Sequence, residues 1–279
     1  MRIKRNAASK SILRSSSKLF SQRAFGIWCL ILFASSSFAN EAQVADKPTI
    51  SVVVEQGHLP SKSYSLEQGA RLSNLLTQIS LSKNDYWYAT AWLRKNNKLN
   101  YQQKKTELTA LISEQIKLKN KHQQQWELVL ENVSAIKPSD RLVTPVHPDR
   151  VFADKKSNFL LQNGDTLLIP SRPNFVAIAG LTKQSQRPHK ATQDLLNYLE
   201  NSSALPLADN SYVWLIKPDT SIEKLPIAYW NKREPRFIAP GSTIYVPAKE
   251  QTFSNDYQAI NQLYLELLQN QIIGTRQGE

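Results

Sequence analysis

Cysteine is all but missing: the chain holds one, Cys29, inside the apolar run AFGIWCLILFA at 24–34. Histidine is scarce as well. His58, His122, His147 and His189 stand far apart, and none has a partner three or four positions on that would build a metal site on a helix. The eight glycines form no phosphate-cradling loop, and no serine sits in a nucleophile elbow. Thiolate chemistry, helix-borne metal chemistry and nucleotide binding therefore have no foothold in the motifs. The residues point to no catalytic group, no metal and no cofactor.

Acids are also absent from the start. None precedes Glu41, whereas Arg2, Lys4, Arg5, Lys10, Arg14, Lys18 and Arg23 lead into the apolar run. Ser37 and Ala39 supply small residues at the −3 and −1 places of a cleavage site. The pattern is that of a secretory signal peptide over 1–39. Its uncharged stretch is shorter than the ~20 residues of a spanning helix. Removing it changes the charge reading. The chain has 35 Lys plus Arg against 23 acids, a net +12, and seven of those bases lie in the signal, which leaves 28 against 23, or +5. The apparent invitation to nucleic acid is withdrawn with it. An exported chain without cysteine suits the periplasm of a Gram-negative bacterium, where a stray thiol is a liability.

What the rest does contain is a repetition. FLLQNGDTLLIP at 159–170 lies over RFIAPGSTIYVP at 236–247 without a gap, 77 positions apart. Each passage runs through a Gly turn into a β-branched or aliphatic strand that proline stops. The beginnings repeat too: TISVVVEQG at 49–57 answers FVAIAG at 175–180, and the helical spacing of ARLSNLLTQI at 70–79 answers TQDLLNYL at 192–199 with Thr192 as N-cap. Setting Leu75 and Leu76 on Leu195 and Leu196 gives an offset of 120, so an insertion of 43 residues is expected in the first copy.

It is sought in the stretch from 97 to 136, which lacks glycine and proline. Leu108, Leu111, Ile112 and Ile116 follow one helical stripe, Trp126, Val129, Leu130 and Val133 another, with a reversal at 117–123. After the second copy, Tyr257, Ile260, Leu263, Tyr264, Leu267 and Leu268 form one face of a terminal amphipathic helix, with Ser254 as N-cap and Asn, Gln, Asp and Glu opposite. That face either docks within the chain or meets a partner or the membrane interface. The fold class expected is α+β: a linker at 40–48, a first β-grasp domain at 49–172 with a helical hairpin inserted at about 97–136, a second at 173–249, and an amphipathic helix and tail at 250–279.

Five short passages carry a resemblance: AWLRK at 91–95, NFLLQNGDTLLIP at 158–170, VWLIKPD at 213–219, YWN at 229–231 and APGSTIYVP at 239–247. In this order they resemble the GfcC-type capsule and exopolysaccharide biosynthesis family. The resemblance implies a periplasmic protein that works with capsule export, two soluble-ligand-binding (SLBB-like) β-grasp domains like those of the Wza exporter, a helical insertion and a C-terminal helix.

For chemistry, Asp140, Asp149, Asp154 and Asp165 are the carboxylates that a glycoside-cleaving pair would draw on, but aspartates this close in a loop-rich segment are ordinarily turn residues. Binding is better supported. Trp87, between Tyr86 and Tyr88, and Trp230, between Tyr229 and Asn231, are the candidate exposed aromatics for sugar stacking, and Asn231 is the candidate for bonding sugar hydroxyls. Arg94 is either half of a structural ion pair or a bidentate seat for an acidic sugar. Tyr257, Ile260, Tyr264, Leu267 and Leu268 are the candidate partner-binding residues of the last helix. The function expected is a non-enzymatic accessory role in polysaccharide assembly or export, with polysaccharide, the outer-membrane exporter or both as partner. A polymer-modifying enzyme is one alternative. A structural adaptor is another; losing 253–279 would then leave the repeated domains folded.

Overall fold

The doubled Gly turns have one shape: Gly164 and Gly241 both take φ +83°, the left-handed region that glycine enters without steric cost. The computed structural model describes residues 47–273 apart from 58, 81, 119–120, 201, 231–233 and 251–255. The signal over 1–39, most of the linker, His58, Asn231, Ser254 and the tail from 274 lie outside the described residues.

The first copy comprises β1 (Thr49–Gln56), β2 (Lys62–Glu67), α1 (Leu72–Leu76), a 3-10 turn at Trp87–Ala89, β3 (Ala91–Leu93), α2 (Asn97–Lys117), α3 (Gln123–Ser134), α4 (Pro148–Ala153) and β4 (Thr166–Ile169). Its sheet runs β2-β1-β4-β3, with β1 and β4 parallel and the outer pairs antiparallel. The second copy comprises β5 (Phe175–Gly180), β6 (Ser185–Pro188), α5 (Leu195–Leu199), β7 (Tyr212–Ile216), β8 (Ile222–Pro226) and β9 (Thr243–Val246), in the order β6-β5-β9-β7-β8 with β5 and β9 parallel. The last helix, α6, spans Asp256–Gln269. The architecture is α+β, two mixed sheets in tandem.

Three details correct the sequence reading. The helix of the second copy is capped by Asp194, whose side chain accepts from the Asn197 N–H at 3.0 Å, and Thr192 lies outside it. The matching bridges Arg71–Leu160 and Asp194–Phe237 place Leu72, not Leu75, on Leu195. The helices were thus set one turn out of register. Leu72 to Leu195 is 123 positions and Leu160 to Phe237 is 77, so the first copy is longer by 46 residues rather than 43. The entry and exit of the insertion are sharp. Arg94 N–H donates to Asp140 O at 3.0 Å as Lys217 N–H donates to Ser221 O at 2.8 Å. Residues 95–139 therefore replace a three-residue turn, 218–220, and the counterpart of β8 shrinks in the first copy to the bridge Leu93–Arg141.

That hairpin reaches the other copy. One face of the second sheet packs on α5 through Val176, Ile178, Leu195, Tyr198, Val213 and Ile244. On the opposite face Leu181, Ile216 and Tyr245 join Leu108, Ile112, Trp126 and Val129 of the hairpin and Tyr257, Ile260 and Tyr264 of α6 in one core. The first sheet has its own core, in which Val52, Val54, Leu72, Leu75, Trp92 and Leu167 meet.

Candidate functional site

Arg94 leaves β3 at the point where the insertion begins. Its Nε donates to Asp165 Oδ1 at 2.9 Å and its Nη2 to Asp165 Oδ2 at 2.8 Å, a bidentate pair, while Nη2 also reaches Leu160 O at 3.1 Å. The Asp165 side chain is 1% exposed and that of Arg94 25%. Asp165 additionally accepts the Gln162 N–H, so the turn aspartate and the ion pair are one construction. The guanidinium lies 4.7 Å from the Trp92 ring centroid, and Trp92 packs at 5.9 Å on Phe159. The pair belongs to the first copy alone: Lys217 and Ser242 stand at the corresponding places of the second.

Around this group opens a groove of about 500 Å³. Trp92, Tyr101, Phe159 and Leu160 give it apolar and aromatic walls, and Asn97, Thr144 and Gln162 give it polar ones. A second hollow of about 310 Å³ lies along β8 beside Tyr212, Lys224, Glu234 and Arg236. There Glu223 pairs with Lys217 at 3.0 Å and Arg236 at 3.4 Å.

The two tryptophans singled out from sequence go separate ways. Trp87 is partly buried on the core of the first sheet. Its neighbours bind the copies together: Tyr86 Oη donates to Pro240 O at 3.1 Å, and Tyr86 and Tyr88 meet edge to face at 6.2 Å. Burial, with Asp219 and then Tyr86 and Glu223 adding to it, pushes the Tyr88 phenol up to about 12. Tyr86 thus ties the two copies together, and Trp87 beside it is only partly exposed. Trp230 is the reverse, 75% exposed beside a Tyr229 that is 95% exposed.

The stripe of α6 docks within the chain. Tyr257, Ile260, Tyr264 and Leu267 are buried, Leu268 is partly buried against the same core, and none of the first four is available to a partner in this arrangement. Nor is the rest of the helix wholly exposed: Asn261 and Leu265 are buried too, as is Asn270 just past its end. Asn261 Oδ1 accepts from Tyr245 Oη at 3.0 Å and the Ala248 N–H at 2.8 Å, and its Nδ2 donates to Ala248 O at 2.8 Å.

The remaining aspartates serve locally. Asp140 accepts the Lys98 N–H, Asp154 accepts from Lys156 and Ser157, and Asp149 is exposed beside His147 at 3.8 Å. Among the described residues no three His, Cys, Asp or Glu side chains are gathered to hold a metal ion, and no helix is long and apolar enough to cross a membrane. Sequence reading missed Arg141. It is 2% exposed and donates to Pro218 O at 2.8 Å and to Gln271 O beyond α6. Burial lowers its pKa to about 10 against the pull of Asp219.

Two repeated sheet modules carrying an open aromatic groove, with a helical insertion of one module clamping the last helix onto the other, define the class. Residues 183–273 match the family model described as capsule biosynthesis GfcC C-terminal. A protein of Escherichia coli K12 described as "Uncharacterized protein YjbG" is 34% identical over 143 residues, 51% of this chain and 58% of that protein. The chain thus spans rather more than half the length of this relative. Both findings support the GfcC-type capsule biosynthesis family that the five motifs resemble.

Proposed function

We propose that the protein is a non-enzymatic accessory factor of capsule or exopolysaccharide assembly and export, acting in the periplasm after removal of its signal peptide. Its two sheet modules are read as β-grasp domains, since each begins with an antiparallel hairpin whose first strand pairs parallel with the last. The polymer, delivered to or received from the outer-membrane exporter, is the partner. The Arg94 groove carries this reading. Phe159 is 38% exposed at its wall and offers a ring face to a sugar, while Arg94 Nη1 makes no hydrogen bond to the described residues. Because Asp165 already neutralises the guanidinium, the site suits sugar hydroxyls better than a sugar carboxylate. This turns the acidic-sugar expectation toward neutral segments of the polymer. Trp230 is the second proposed contact.

Affinity electrophoresis against polysaccharide from the native host tests the proposal. The wild-type chain is expected to be retarded, and Phe159→Ala to weaken binding about tenfold, the scale of one lost stacking contact. Reducing ends should not increase during the incubation. A chain that the polymer does not retard, or one that releases reducing ends, sinks the proposal.

A further inference from the structure

The two hollows occupy the same place in the two copies. The bond from Arg94 N–H to Asp140 O answers the one from Lys217 N–H to Ser221 O, which sets Leu142, Val143 and Thr144 on Glu223, Lys224 and Leu225. The 77-residue offset of the Gly turns sets Phe159 on Arg236. Leu142, Val143, Thr144 and Phe159 line the Arg94 groove, and their four counterparts line the hollow along β8. Asn97 and Tyr101 of the groove belong to the insertion, so the second hollow has no counterpart of them.

The chemistry of the second hollow is its own. Glu223 pairs with Leu215 and Leu225 with Val213, which puts Glu223 on the face of the sheet that packs on α5. Lys224 turns to the opposite face, 4.8 Å from the Tyr212 ring and 5.5 Å from that of Trp214, so its ammonium does not serve the hollow. Leu195, Leu225 and Pro235 give apolar walls, and Asp194, Glu223, Glu234 and Arg236 give polar ones. The Arg236 side chain is 53% exposed; Glu223 meets it at 3.4 Å but shares its carboxylate with Lys217 at 3.0 Å. Asp194, Glu223 and Glu234 outnumber Arg236 and Lys217, so the hollow repels an acidic sugar. It suits hydroxyl groups, which donate to carboxylates and accept from a guanidinium. The chain leaves the hollow at Pro226 and returns to it at Glu234. Trp230, 75% exposed, stands four residues from each, within about 14 Å of either wall by chain length.

We infer that this hollow is a second saccharide site, which takes a neutral sugar of the polymer. Glu223 and Glu234 accept hydrogen bonds from its hydroxyls, Arg236 donates to its oxygens, and Trp230 stacks on a neighbouring ring. The inference rests on the polysaccharide-binding function proposed above and gives Trp230 its place in that function. One chain then carries two sites, at equivalent points of its two copies. Toward a polymer such a pair is bivalent, since release from one site leaves the other engaged.

Isothermal titration calorimetry of the purified chain tests this, with short oligosaccharides cut from the native host's polysaccharide by partial acid hydrolysis. Wild type is expected to show two sites per chain. Arg236→Ala should weaken one of them about tenfold, the scale of a lost charge-assisted hydrogen bond, and leave the other unmoved. Trp230→Ala should weaken the same site, and its exposed position keeps the test decisive even if Arg236→Ala folds poorly. Phe159→Ala should weaken only the other site. A single site that Phe159→Ala weakens, or a second one that neither Arg236→Ala nor Trp230→Ala moves, overturns the inference while the Arg94 groove keeps its role. A chain that binds neither these fragments nor the whole polymer overturns the proposed function as well.

Discussion

At the scale of single residues, Arg94 and Asp165 are the strongest local commitment in the first copy. Asp165 is buried, so Arg94→Ala leaves a carboxylate without its cation, and stability is expected to fall by about 3 kcal/mol. In an Asp165→Ser background, which installs the residue the second copy uses, the same change should cost less than about 1 kcal/mol, because the arginine is then a partly exposed side chain. Urea unfolding of the four chains in this cycle measures the coupling. Equal losses in both backgrounds would mean that the pair is incidental to the fold. Sequence showed half of this construction. The turn preference of Asp165 and the awkward place of Arg94 after two apolar residues were both legible. That they satisfy each other was not, since 71 positions separate them and only the β3–β4 pairing brings them together. Arg141 left no trace at all, because its acceptors are main-chain carbonyls, which every residue carries.

Among the elements, β1, β4, β5 and β9 and the two Gly turns were readable because β-branched runs and a positive φ leave marks on residue type, whereas β2, β3, β6, β7 and β8 were not read. The positions of α2 and α3 were readable from their stripes. What each stripe packs against was not, and α6 shows why. A polar residue on a helix reads as solvent-facing, yet Asn261 is 5% exposed and saturates the Tyr245 hydroxyl and both main-chain groups of Ala248. Replacing Asn261 by Leu keeps the volume roughly and abandons three hydrogen-bonding groups, for an expected loss of about 3 kcal/mol. Adding Tyr245→Phe should recover part of it, since one abandoned group disappears. A loss within ~0.5 kcal/mol, the range of an ordinary surface change, would mean that the network contributes nothing. The same packing argues against an intact pair of domains once 253–279 is removed. Without α6 the second sheet and the hairpin lose the side chains that fill their shared core, so a chain lacking 253–279 is expected to lose its cooperative transition.

For the whole molecule, the hairpin of one copy, the sheet of the other and α6 share one core, which ties the second sheet's stability to the tyrosines buried there. Tyr245 and Tyr264 pack at 5.1 Å, and burial holds both phenols well above their ordinary range. Burial also raises Tyr86, Tyr88, Tyr101 and Tyr257, Tyr88 to about 12. Tyrosine is an acid, so a raised folded pKa means that the unfolded chain ionises first, from about pH 10. The stability linked to these groups is therefore whole below pH 10 and drains away as pH rises through the folded values. Arg141 works the other way. Its folded pKa near 10 lies below the ordinary arginine value, so above about 10 the unfolded chain holds the extra proton and folding gains. Lys105, lowered by burial, acts in the same sense as Arg141, so two bases stand against six tyrosines, and the sum is a protein that unfolds in alkali. The melting temperature should begin to fall above about pH 10. The phenolate absorbance of Tyr245 and Tyr264 should appear only as near-ultraviolet circular dichroism disappears, and in a Tyr245→Phe chain that late absorbance should shrink. If all ten tyrosines of the chain ionise while the native spectrum persists, the core around α6 opens to water without unfolding. The clamp formed by the hairpin would then be looser than its packing implies.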